Sequence, residues 1–121
     1  MQLTALIESR LTVKETAATP TEAVTTLAQL LYREGRVQDA QRFCDALQRQ
    51  GATFVLSLTP TVVMAHGYGE EVLAPAIAVM RTRDGKTVFL LASRNAQEHL
   101  EQLSQLAGAL LVTPSLSALF E

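Results

Sequence analysis

The sequence predicts an α/β fold in which a mixed sheet is sandwiched by helices. Three observations carry that prediction. Two segments open with a helix-capping signature and continue as apolar stripes at helical spacing. Short apolar runs alternate with them along the chain. One of those runs, "TVFLLA" (Thr87–Ala92), is apolar at nearly every position, as in a strand covered on both faces.

The elements follow in order. "LTVKE" (Leu11–Glu15) alternates and reads as a short first strand. In "TPTEAVTTLAQLLYREG", Thr19 suits the N-cap, Pro20 the first helical position and Glu22 the capping box. Val24, Leu27, Ala28 and Leu31 make its apolar stripe, and Gly35 fits the stop. A second helix runs from about Asp39 to Arg49, burying Ala40, Phe43 and Leu47, with Gly51 closing it. Thr53–Thr59 and Thr61–Ala65 are strand material divided by Pro60, which has no N–H to give a ladder. "PAIAVMR" and "TVFLLA" form a hairpin around Asp84–Gly85. A third helix starts at "RNAQEHL" with Asn95 as cap and Glu98 at the third position. Its buried face reads as Leu100, Leu103, Ala107 and Leu110. Thr113 and Pro114 end that pattern, and "SLSALF" closes the chain as one or two helical turns.

Bulk properties narrow the function. The 121 residues read as one domain, 1–121, large enough for a core without disulfides or metal. A net charge of −2 with no run of Lys or Arg argues against nucleic acid as a partner. The lone Cys44 makes no internal disulfide, which favours a reducing cytoplasm, and its mid-helix position makes it a small core residue. No stretch has the length of a membrane span.

The chemistry-bearing residues are the two histidines. His66 ends the apolar run "VVMAH" and is followed by Gly67 and Gly69, which read as a flexible approach to the site. His99 lies in the first turn of the third helix, just after "TVFLLA". If the two strands are neighbours, both imidazoles fall at one end of the sheet, where open α/β folds place ligands. A neutral imidazole is nucleophilic near physiological pH and can hold a phosphoryl group. The helix start beside His99 favours an anion. No G-x-S-x-G elbow is present, and two histidines without a nearby cysteine pair fall short of a zinc site. Tyr68 reads as an exposed loop aromatic.

"VVMAHG" is similar to the active-site segment, V/I-A-I/V-P-H-G, of enzyme IIA domains of the mannitol/fructose class of the bacterial sugar phosphotransferase system. "VFLLASRNAQEHLEQLSQLAGAL" resembles their later strand–loop–helix segment with its H-L pair. "EAVTTLAQLLYREGRV" and "DALQRQGAT" match the upstream helix pair in order and spacing, so the resemblance spans roughly Leu11 to Phe120. It implies a mostly parallel mixed sheet, and His66 as a phosphohistidine loaded by HPr and unloaded by an enzyme IIB cysteine. It also implies a sugar-transport role beside a membrane IIC permease, with no metal or cofactor. His99 then supports His66 and its phosphoryl group, and Arg49 matches an arginine that neutralises phosphoryl charge. The ring nitrogen facing solvent, taken as Nε2, would react while a backbone hydrogen bond fixes the other. Ala65 stands where relatives have proline, which implies a looser backbone there. The segment before it lacks the usual glycines, and the final helix of many relatives has no counterpart in the pattern. These departures keep open a different reading, a regulatory or degenerate IIA-like domain that binds a partner and uses phosphorylation as a signal or not at all.

Overall fold

A computed structural model describes residues 1–49, 55–113 and 115–121. The helix stop read at Gly51, the strand positions Thr53 and Phe54, and Pro114 lie outside the described residues.

The second helix of the structure, α2 (Pro20–Arg33), begins as its sequence requires. The Glu22 N–H donates to Thr19 Oγ1 at 3.1 Å, and Pro20 occupies a position where a missing N–H costs nothing. It ends in a left-handed glycine, Gly35 at φ 73°. The N–H groups of Arg36 and Gly35 return to the carbonyls of Leu31 and Tyr32 at 2.8 and 3.1 Å, a Schellman closure. Before it come a four-residue helix, α1 (Leu3–Leu6), which carries no capping side chain and escaped the sequence reading, and strand β1 (Thr12–Ala17). After it comes α3 (Ala40–Arg49), burying Phe43 and Leu47 as expected, with Ala40 at the core's margin.

Four more strands follow: β2 (Val55–Ser57), β3 (Val62–Tyr68), β4 (Ala76–Thr82) and β5 (Thr87–Ser93). Around Pro60, Thr59 Oγ1 accepts from the Thr61 and Val62 N–H groups at 3.2 and 3.0 Å, and β2 folds back antiparallel on β3. The β4–β5 hairpin turns at Asp84–Gly85, with Gly85 at φ 91°. The sheet order is β1-β4-β5-β3-β2. The sheet is mixed as expected, but evenly rather than mostly parallel. β1–β4 and β3–β5 are parallel, while the two hairpins supply antiparallel pairs because their connections are too short for crossovers. β5 lies at the centre, and all seven of its residues are buried.

Helices cover both faces. On one, Leu27, Leu31, Phe43 and Leu47 of α2 and α3 meet Ala65, Ala78, Leu90 and Ala92 of the sheet. On the other, α1, α4 (Ala96–Val112) and a closing 3-10 turn (Leu116–Phe120) pack Leu3, Leu106, Ala109 and Phe120 against Met64, Val79, Phe89 and Leu91. The alternation along each strand decides which face a residue serves.

The face of α4 is a correction. The buried residues are Gln102, Leu106 and Ala109, with Leu103 and Leu110 beside them, whereas Leu100 is 61% exposed and Ala107 also faces out. The cause is polar. Gln102 Nε2 donates to the carbonyls of Ala92 and Ala76 at 2.9 and 3.2 Å, so a residue that periodicity assigns to solvent turns to the sheet. Leu103, Leu106, Leu110 and Leu111 of α4 line an apolar groove of about 630 Å³ with Leu58 and Met64.

Candidate active site

His66 lies within β3, two residues before its end, rather than at a strand tip. The strand continues because Gly67 and Tyr68 pair with Ala92 and Ser93 of β5. Gly67 is not a hinge. A Cβ there would sit 2.7 Å from Leu47 Cδ2 and 3.1 Å from Phe43 Cε1, so its missing side chain is what lets α3 lie against the strand. Gly69, at φ 145°, ends the strand, and its N–H donates to the Ser93 carbonyl at 3.1 Å. Ala65 is also no loose point. It is fully buried and paired on both sides, with Val55 of β2 and Leu90 of β5.

α4 brings the second imidazole. Asn95 Oδ1 accepts from the Glu98 N–H at 2.9 Å, and the His99 N–H closes the first helical turn on the Asn95 carbonyl at 3.1 Å. The Glu98 carboxylate reaches one residue past the usual box partner, to the Arg94 N–H at 2.8 Å, and also binds the Arg94 guanidinium. That contact holds the Glu98 carboxyl below its ordinary range and the Arg94 guanidinium above its own.

Because β3 and β5 are parallel neighbours and α4 follows β5 directly, His66 and His99 meet. Their rings stack with centroids 4.3 Å apart and planes 26° from parallel. Tyr68, two residues beyond His66 on the same face of the strand, stacks on His99 at 5.5 Å with the same 26° inclination. Aromatic contacts of this kind are worth about 0.5–1.5 kcal/mol each. Tyr68 is thus a strand residue in the imidazole stack, not a loop aromatic. The missed signal is its i, i+2 spacing from His66.

Burial keeps both imidazoles below their ordinary pKa, and at His66 the neighbouring His99 adds to the effect. The backbone hydrogen bond expected on the second ring nitrogen is not formed. Nδ1 of His66 and Nδ1 of His99 are both buried without a partner among the described residues. β3 runs straight through this point and stays paired with β5 from His66 to Tyr68.

Arg49 ends α3 and lines a cleft of about 280 Å³ with Phe43, Ala46, Tyr68 and the loop from Gly69 to Val72. The structure therefore brings Arg49 to the Tyr68 side of the site, while the two histidines contact each other directly.

The family "Phosphoenolpyruvate-dependent sugar phosphotransferase system, EIIA 2" matches residues 5–120, nearly the whole chain. The chain belongs to this family. EIIA domains mediate phosphoryl transfer, and the α/β architecture recurs in solved members of the class. Mannitol IIA from Escherichia coli superposes with a TM-score of 0.70 at 19% identity, over 95% of this chain and 99% of that one. The same bacterium's IIA mannitol in complex with phosphorylated IIB mannitol gives a TM-score of 0.71 at 18% identity, over 86% of this chain and 81% of that one. The nitrogen regulatory protein IIA-Ntr from Neisseria meningitidis gives 0.73 at 23% identity, over 98% and 90%. No curated protein sequence matches the chain. Among the described residues no helix is long and apolar enough to cross a membrane.

Proposed function

We propose that this EIIA domain, residues 1–121 as one unit, relays a phosphoryl group through His66. The observation that carries the reading is the His66–His99 ring stack in a chain of this family. With Nδ1 buried, Nε2 is the nitrogen of His66 left to react. Its lone pair forms a new N–P bond as the bond between phosphorus and the donor's imidazole nitrogen breaks. The donor ring leaves with that electron pair, and water takes no part. Burial favours the neutral, nucleophilic form of His66.

Phosphorylated HPr is the proposed donor. A IIB cysteine is the proposed acceptor, by analogy with the IIA–phospho-IIB complex of the mannitol system. His99 supports the ring and the phosphoryl group. Arg49, a cation lining the neighbouring cleft, offsets the phosphoryl charge. The relay serves sugar uptake in the cytoplasm, coupled to a membrane IIC permease.

Incubation with enzyme I, HPr and phosphoenolpyruvate tests this. The expected product is an acid-labile, base-stable phosphate that is absent from His66→Ala. An unlabelled wild-type protein overturns the relay. Label that no IIB removes transfers the reading to regulation, in which the phosphohistidine itself is the signal.

A further inference from the structure

His99 poses a question that its hydrogen bonds do not answer. An imidazole is ordinarily oriented by a hydrogen bond on the nitrogen away from the chemistry. Here that role is unfilled, because His99 Nδ1 is buried with no partner among the described residues. Packing must hold the ring instead, and two rings touch it, His66 at 4.3 Å and Tyr68 at 5.5 Å.

Tyr68 is well placed to hold it. Its backbone pairs with Ser93 in the β3–β5 ladder, and the Gly69 N–H that follows is tied to the Ser93 carbonyl at 3.1 Å. Gly67, just before it, has no space for a Cβ on the side of Leu47 and Phe43, which places α3 close against the strand there. The side chain therefore leaves a pinned backbone on the face that carries His66. It is 41% exposed, and it also lines the cleft that contains Arg49.

We propose that Tyr68 is a positioning residue of the site, whose ring fixes the His99 imidazole and through it the reacting ring of His66. The role is assigned to the ring, which makes the stacking contact with His99. It rests on the reading of His66 as the phosphoryl acceptor, and it adds a third aromatic member that bridges the histidine pair and the Arg49 cleft.

Tyr68→Phe and Tyr68→Leu in the full chain separate the possibilities. Two quantities are read: the ring resonances of His99 in a histidine-labelled NMR sample, and the rate of phosphoryl uptake from phospho-HPr. Tyr68→Phe keeps both at wild-type values. Tyr68→Leu moves the His99 resonances through the lost ring current. It slows uptake about 2- to 12-fold, the rate equivalent of one aromatic contact. The urea midpoint, measured alongside, does not follow the rate. Unmoved His99 resonances in Tyr68→Leu overturn the proposal, and so does a Phe variant as slow as the Leu one. If the wild type takes up no phosphoryl group, the relay fails. The NMR comparison then still decides whether the Tyr68 ring lies on His99.

Discussion

The ring of His99, carried by α4, lies on the ring of His66, carried by β3, with 4.3 Å between centroids. Neither buried Nδ1 has a partner among the described residues, so two half-buried imidazoles share a contact with little to stabilise a proton on either. The site is consequently built for neutral histidine, and that state has a cost in acid.

Both folded pKa values lie below the ordinary 6.5, from burial first and, at His66, from His99 second. As pH falls below about 6.5, the unfolded chain takes up protons that the folded protein refuses, and stability drops until the folded values are reached. Above that window the stability is complete. Urea midpoints at about pH 7.5 and about pH 5.5 should therefore differ more in the wild type than in His66→Asn/His99→Asn. Equal differences in the two proteins would remove histidine burial as the cause.

Gly67→Ala places a methyl group where Leu47 Cδ2 already sits. Overpacking of this kind costs about 1–3 kcal/mol, seen as a lower urea midpoint. Leu47→Ala opens the space at its own cost of about 2–5 kcal/mol. The double variant should accordingly be more stable than the sum of the two losses predicts, and strict additivity would show that the contact is not the reason for glycine.

Gln102→Leu leaves the carbonyls of Ala76 and Ala92 without their side-chain donor in a buried site. The expected loss is about 1–3 kcal/mol in denaturant. Gln102→Glu is worse near neutral pH, where a carboxylate faces two carbonyl oxygens, and recovers in acid as it protonates. A Glu variant whose stability falls further in acid contradicts this.

Arg49→Ala tests the proposed phosphoryl neighbour. Its exposed position at the end of α3 leaves the urea midpoint where it is. Phosphoryl uptake by His66 falls about 10- to 150-fold, the rate equivalent of one hydrogen bond to a charged group. Arg49→Lys restores part of it, because a point charge lacks the guanidinium fork. Unchanged uptake in Arg49→Ala removes the residue from the site.

What could be read in advance was whatever is local. The caps at Thr19 and Asn95, the stop at Gly35 and the turn at Asp84–Gly85 each depend on residues within a few positions of one another. What could not be read was set across the fold. Gly67 has the look of a turn residue, but its reason is Leu47 on another element. Gln102 interrupts the apparent polar face of α4 because two carbonyls lie beneath it. The meeting of the histidines was legible on one condition, that β3 and β5 be neighbours, and the strand order meets it.

The same strand order has a consequence for how the chain comes off the ribosome. β1 has no strand partner until β4 has been made, since the two pair in parallel across about half of the chain. A strand that waits exposed is an invitation to unwanted pairing. "TVKETA" waits safely, with Lys14 and Glu15 on its surface and only Ala17 fully buried. "TVFLLAS", the segment that water and neighbouring chains would punish most, is made directly after its hairpin partner β4 and so is sheltered almost as it emerges.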